Sequence, residues 1–289
     1  MQNSSRIAPY DEEPQAELEL ELLVLEGRAQ LESGSLAFGE GGKEAQAALM
    51  TLGRALRISG GSEKIRFQMA RAYLALGKAS EALVELEHLG AESAKDAEMQ
   101  AALGIVYIAL GRSEQSLRPL IKASELDPEE PERWIVLGTA YLLCGDTSAA
   151  ERAYRRALAL APRSPRAHGD LGVLLAAEGR VDEAKGHLVR ACSLAPERAT
   201  HWSNLSYVEH LLGDQERARS HIDRALELDP QLSSAWLNLG LIQVENHEFA
   251  DARASFLKAQ SLDPSDPRPQ NNLRDLAELE AENPSDSSP

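Results

Sequence analysis

The chain has two cysteines in 289 residues, Cys144 and Cys192, and aromatic residues make up only 4% of it. Two thiols far apart in so long a chain do not build a disulfide framework; they suit small core residues in a reducing compartment, and the expected location is the cytoplasm. Continuous apolar runs are missing, and no window approaches the ~18 residues needed to cross a bilayer as a helix. The first fifteen residues, MQNSSRIAPYDEEPQ, hold no basic stretch followed by an apolar one, so no secretory leader is expected. Positive charge is also short: 30 Lys and Arg stand against 46 Asp and Glu, a net charge of −16. Such a chain repels a phosphate backbone, and no nucleic-acid partner is expected.

Catalytic signatures are absent as well. The histidines at 88, 168, 187, 201, 210, 221 and 247 form no H-E-x-x-H pair, and no Cys/His cluster has zinc-like spacing. The glycines form neither a phosphate-binding G-x-x-x-x-G-K-[ST] loop nor a strand-associated G-x-G-x-x-G, and no serine sits in a nucleophile elbow. Acidic pairs such as Glu12-Glu13 and Glu129-Glu130 fit loops or helix starts, where a carboxylate favours the positive end of the helix dipole. The sequence predicts a protein that is not an enzyme and has no cofactor and no metal.

What the chain does have is Ala, Leu and Glu, residues that lose little entropy in a helix, and a repeat. Prolines stand at 128, 162, 196, 230 and 264, each 34 residues after the last. With 14 prolines in the chain, four successive hits at one spacing would arise by chance on the order of once in 10⁵. Leu recurs at 103, 137, 171, 205, 239 and 273, and Ala at 123, 157, 191, 225 and 259. A second Ala column runs through 82, 150, 184, 218 and 252, with Ser116 in the gap. Gly marks 77, 111, 145, 179 and 213, with His247 in its place in the last unit.

Each unit reads as two helices. In 131–164, Trp134, Leu137, Gly138 and Tyr141 fall on one helical stripe, and Ala150, Tyr154, Ala157 and Leu160 fall on a second. Gly145 between them supplies a residue able to take the left-handed conformation that ends a helix. Pro162 stops the second helix, because proline lacks an N–H and disfavours helix in the residue before it. Gly138 and Ala150 lack bulk where the paired helices must approach. One such hairpin cannot bury its apolar stripe alone, whereas stacked neighbours can.

The pattern W-x₂-L-G-x₂-Y, then A-x₃-Y, then P, at this period resembles the tetratricopeptide repeat (TPR). The resemblance implies an all-α solenoid, a right-handed superhelix of antiparallel helix hairpins. The clear units are 63–96, 97–130, 131–164, 165–198, 199–232 and 233–266, and a degenerate unit covers 16–62. There Ala48, Leu52 and Ala55 mark the second helix and LAFGEGGKE lengthens the loop. Departures are mild: Ala94 stands for the proline, His168 for the Trp, Ser206 for the Gly, and Glu209 and Gln243 for the Tyr. Residues 267–283 resemble a capping helix with Leu273 and Leu276 inward. Residues 1–15 read as a flexible acidic arm and 284–289 as a disordered tail.

By the same resemblance, first helices line a concave face, and these carry a second, apolar stripe beside the core one. It runs through Phe67 and Arg71; Ile105 and Ile108; Ile135, Thr139 and Leu142; Val173; Tyr207; and Leu241. A helix face that meets only water is polar. The stripe therefore either receives an apolar strand or amphipathic helix, or is buried between adjacent first helices. Asn204, Asn238 and Asn272 form a column 34 residues apart. An asparagine amide both donates and accepts, so the column either holds an extended peptide's backbone, as in some peptide-binding TPR arrays, or serves the repeat's own structure. TPR cochaperones that grip a C-terminal carboxylate carry a Lys/Asn/Arg clamp on this stripe. Phe67, Ala101, Ile105, Ile135 and Thr139 hold those places here, with only Arg71 basic, so that ligand is not expected.

The function expected is an adaptor or scaffold that binds a protein or peptide in the groove. A client-holding chaperone or assembly factor for a secretion or envelope machine is the alternative, and end-to-end self-association stays open.

Overall fold

The computed structural model describes residues 20–29, 42–89 and 95–282, which are helical apart from short turns, with no strand among them. The expected arm at 1–15, Ala94, the tail at 284–289 and most of the LAFGEGGKE loop lie outside the described residues. The chain divides into two compact units, Met1–Gly145 and Asp146–Pro289.

In the first unit, α1 (20–29) is followed by α2 (Gly42–Ser59), α3 (Glu63–Ala75), α4 (Ala79–Glu87), α5 (Ala97–Ala109), α6 (Ser113–Leu126) and α7 (Pro131–Leu143). Helices adjacent in sequence pack together from α2 to α7. Ala48, Leu52 and Ala55 of α2 are wholly buried in one cluster with Leu23 of α1 and with Ile65 and Met69 of α3. Phe67, Leu83 and Val106 belong to a second cluster, and Leu120, Val136 and Leu137 to a third.

The second unit contains α8 (Thr147–Leu160), α9 (Pro165–Ala177), α10 (Val181–Leu194), α11 (Ala199–Leu211), α12 (Gln215–Leu228), α13 (Ser233–Glu245), α14 (Phe249–Leu262) and α15 (Arg268–Glu282). Three hairpins, α9–α10, α11–α12 and α13–α14, pack in consecutive order, and first helices also touch first helices, α9 to α11, α11 to α13 and α13 to α15. Leu276 and Leu273 of α15 pack on Leu237, Phe249 and Phe256, so the last helix covers the apolar side of the last hairpin.

The recurring residues do the jobs their chemistry allows. Gly179 and Gly213 have φ of 77° and 78°, and the next residue's N–H reaches five back, Arg180 to Leu175 and Asp214 to Glu209. This is the hydrogen-bond closure that ends a helix on a left-handed residue. His247 adopts the same conformation at φ 62°. Helix starts are capped: Asp96, Ser164 and Asp214 accept from the N–H groups of Met99, Ala167 and Arg217.

The proline column has a second role beyond stopping helices. The indole N–H of Trp134, Trp202 and Trp236 donates to the carbonyl of Pro128, Pro196 and Pro230, each at 2.9 Å. His168, in the Trp column, places Nε2 3.1 Å from the Pro162 carbonyl. The side chain that begins a hairpin thus pins the turn that precedes it. Both cysteines are free; Cys192 is buried, which pushes its thiol up to about 12, and Cys144 is half-buried.

Candidate functional site

The stripe expected to face a partner separates into an inner and an outer column. The inner column is buried along its whole length: Phe67 is 6% exposed, Ala101 5%, Ile135 1%, Ser203 0% and Leu237 3%, and Gly169 is buried with them. Phe67 and Ile135 therefore do not lie on an open groove surface. In the second unit the reason for such burial is visible at Gly169 and Ser203. A Cβ built on Gly169 would stand 2.8 Å from the His201 ring of α11, and Ser203 accepts from Asn238 of α13. Along this column of the second unit, first helices approach too closely for anything but packing between them.

The outer column is more open. Val173 and Tyr207 are 40% and 37% exposed, and Arg71, Ile105, Thr139 and Leu241 are half-buried. In the first unit these residues are largely engaged within the fold. Ile105 and Ile108 pack on the cluster of Leu120, Val136 and Leu137. Thr139 donates to the Ile135 carbonyl of its own helix, and Arg71 donates to the Gln68 side chain. Leu142 is half-buried.

In the second unit the column opens into a groove of about 350 Å³. α9 contributes Val173, Ala176 and Ala177; α10 contributes Leu188; α11 contributes Asn204, Tyr207 and Val208; α13 contributes Ser234, Leu237, Asn238 and Leu241; α15 contributes Arg268 and Asn272. The expected residues Val173, Asn204, Tyr207, Asn238, Leu241 and Asn272 are thus brought together. Sequence reasoning missed Leu188, Ala177, Val208, Ser234 and Arg268. Leu188 belongs to a second helix, and Ala177 and Val208 stand one residue after Ala176 and Tyr207, off the stripe. Arg268 belongs to the capping helix, whose first turn carries no repeat signature.

The asparagine column is not uniform. Asn238 donates its amide to both the carbonyl and the hydroxyl of Ser203, at 3.0 and 3.1 Å, so its Nδ2 is used inside the fold. Among the described residues no hydrogen-bond partner meets the amides of Asn204 and Asn272. Two of the three asparagines therefore present both a donor and an acceptor to the groove. The charge of Arg268 is matched: its Nε and Nη2 meet the Asp266 carboxylate at 2.8 to 3.1 Å. That guanidinium holds the Asp266 carboxyl below its ordinary value. The groove is lined mostly by apolar side chains, carries three asparagine amides, and has its one guanidinium matched by Asp266.

Where the repeat signature fails, the substitutes are paired. Glu209, in the Tyr column, is 1% exposed and meets Lys185 of α10 at 2.9 Å. Gln243, in the same column, accepts from the Ser255 hydroxyl at 2.6 Å, and Ser206, in the Gly column, donates to the Ala218 carbonyl at 2.7 Å. No group of three or more His, Cys, Asp or Glu side chains is placed to hold a metal among the described residues, and no helix among them is long and apolar enough to cross a membrane.

Two sequence profiles match the chain, both described as tetratricopeptide repeat, one over residues 41–106 and 141–205 and the other over 181–233 and 212–267. No curated protein matches it. Among solved structures it is similar to a tetratricopeptide repeat protein from Parabacteroides merdae ATCC 43184. That protein is 18% identical, with a TM-score of 0.70 over 90% of this chain and 99% of the other. It is also similar to the APC/C hetero-tetramer Cut9–Hcn1, at 14% identity and a TM-score of 0.67 over 90% of this chain and 55% of that one. Pseudomonas aeruginosa PilF is 25% identical, with a TM-score of 0.53 over 68% of this chain and 94% of its own. The first two likenesses speak for the fold alone. With the 34-residue columns, the paired helices and both profiles in agreement, the chain belongs to the tetratricopeptide-repeat family.

Proposed function

We propose that the protein is a non-catalytic adaptor whose groove in the second unit holds an uncharged, largely apolar peptide segment of a partner protein. Repeats of this family are in general scaffolds for protein–protein interaction, and the finer reading rests on one observation. Apolar Val173, Tyr207 and Leu241 stand exposed or half-exposed beside the unpaired amides of Asn204 and Asn272, in a groove whose single guanidinium is already matched by Asp266. Apolar side chains of a ligand would displace water from the apolar lining, at about 25 cal/mol for each Å² removed from solvent. The amides would pair with the ligand's backbone, whose N–H and C=O groups cannot be left bare on binding. A charged segment would find no counter-charge.

Peptides selected by display against the full chain test this. Tyr207→Ala and Val173→Glu are expected to weaken the selected peptides about tenfold or more, as truncation of a central aromatic contact does. Val189→Glu, at a residue 48% exposed on α10 outside the groove, is expected to leave them unchanged. Circular dichroism establishes that each variant is folded. Equal affinity for all three variants would place the ligand elsewhere and overturn the reading.

A further inference from the structure

The hairpin α9–α10 carries two histidines that the groove does not use. His168 stands in the first turn of α9, in the column where three other repeats have Trp134, Trp202 and Trp236, and His187 lies on α10 where the preceding repeat has Ala153. Their Nδ1 atoms are 2.9 Å apart and their rings are tilted by 37°. The carbonyl of Pro162 can only accept, so the 3.1 Å contact fixes a proton on His168 Nε2. Neutral His168 then carries its lone pair on Nδ1, and the proton between the rings belongs to His187 Nδ1. A tryptophan makes the same contact to its proline but has no second nitrogen. Replacing it by histidine keeps the pin on the turn and adds a basic nitrogen beside His187.

We propose that His168 and His187 form a two-histidine site for a late divalent transition metal, with zinc the ion of choice for a test. Imidazole nitrogens bound to a tetrahedral zinc at about 2.0 Å stand about 3.3 Å apart, so the pair needs to open by only a few tenths of an ångström. A ligating histidine whose other ring nitrogen donates to a backbone carbonyl is already oriented for its metal. That contact is present at His168. Both rings line an open depression of about 460 Å³ with Glu183, Gly186 and Arg190, which leaves room for water in the remaining positions. Glu183 precedes His187 by one turn, but its carboxylate is held by Arg180 at 2.8 Å and is not placed as a third ligand. Arg190 opposes a cation, as do Arg155 and Arg180, which are engaged with Glu151 and Glu183. The site is therefore weak compared with a closed three- or four-ligand site.

Binding is balanced by a tautomer change. The proton on His187 Nδ1 moves through solvent to His187 Nε2, the Nδ1 lone pair turns to the metal, and His168 keeps its proton on Nε2. At lower pH the pair holds an additional proton that the metal must displace, so affinity falls as the solution is acidified.

Calorimetric titration of the full chain with zinc chloride at pH 7.5 tests the site, with magnesium chloride as the control for attraction to an acidic protein. One zinc equivalent is expected, with no magnesium heat. His168→Trp and His187→Ala install residues that other repeats of this chain use at the same positions, and each is expected to weaken zinc about tenfold or more. Nitrogen-15 spectra of the histidine rings are expected to show His187 changing from the Nδ1–H to the Nε2–H form on zinc addition while His168 does not change. Absence of zinc binding, binding by the two variants equal to that of the parent chain, or unchanged His187 tautomer in the zinc-bound chain each overturns the proposal.

Discussion

Gly240 and Gly213 are both glycines of the repeat signature, and they are there for different reasons. A Cβ on Gly240 would stand 2.3 Å from the Phe256 ring, so this position of α13 is small because α14 is close. Gly104 and Gly172 meet Leu120 and Leu188 in the same way. At Gly213 a Cβ would meet nothing within 4 Å, but φ is 78°, so its constraint lies in the backbone. Gly240→Ala is expected to cost about 1–3 kcal/mol through overpacking, and Gly213→Ala about 1–2 kcal/mol through the left-handed conformation. Urea denaturation of each variant measures both. An unchanged midpoint for Gly240→Ala would mean that α13 stands further from α14 than the structure places it. The steric need for small residues at these columns was legible in the spacing, because 34-residue recurrence and helical period together put them on the facing stripes. That Ser206 could serve in the Gly column was not, since its hydroxyl is accommodated only by the particular carbonyl of Ala218.

Between elements, the question is how a hairpin keeps its neighbour when the signature residue is missing. Glu209 stands where Tyr107 and Tyr141 stand in earlier repeats, and its carboxylate is buried against Lys185 of the preceding hairpin. A buried pair of this kind contributes little beyond what a well-packed apolar pair would, but breaking it leaves a charge with no solvent. Lys185→Met is expected to destabilise the protein by about 2–3 kcal/mol, less than for a fully enclosed pair because the lysine is 30% exposed. Adding Glu209→Gln is expected to recover most of that loss. A double-mutant cycle by chemical denaturation checks the coupling, and additive effects would show that the two side chains are independent. The sequence showed that the Tyr column was broken at Glu209, but its partner lies 24 residues earlier on another helix. No periodicity within one helix points there.

Taken whole, the molecule answers pH chiefly through its histidines. His168, His187, His201 and His221 all have pKa values lowered from 6.5, with burial the leading cause in each. The folded protein keeps these rings neutral, whereas the unfolded chain takes up protons first as pH falls through about 6.5. Stability is therefore fully present above that pH and declines below it. The carboxylates of Glu151, Glu183 and Asp266 are lowered chiefly by hydrogen bonds from Arg155, Arg180 and Arg268, respectively. Their contribution is lost only at more acidic pH, so it does not mask the histidine effect. Melting temperature is expected to fall between pH 7.5 and 5, and the His168→Trp, His187→Ala double variant is expected to show a shallower fall. A flat profile for the parent chain would contradict the burial of these rings.

By itself the sequence determined the family, the helical hairpins, the turn glycines and the small-residue columns, because each follows from a fixed period acting on local backbone and steric rules. It also put Val173, Tyr207, Leu241 and the three asparagines on one side of their helices. The division of that side between packing and open surface came only from the tertiary structure. Ile135 and Val173 are both apolar, lie on the same expected stripe and are 1% and 40% exposed. Helical spacing fixes the direction of a side chain to within part of a turn, while the distance to the next first helix decides whether that direction ends in a neighbour or in water. The same holds for Asn204 and Asn238, identical in local sequence position. Both line the groove, and only the approach of Ser203 commits the Asn238 amide to the fold.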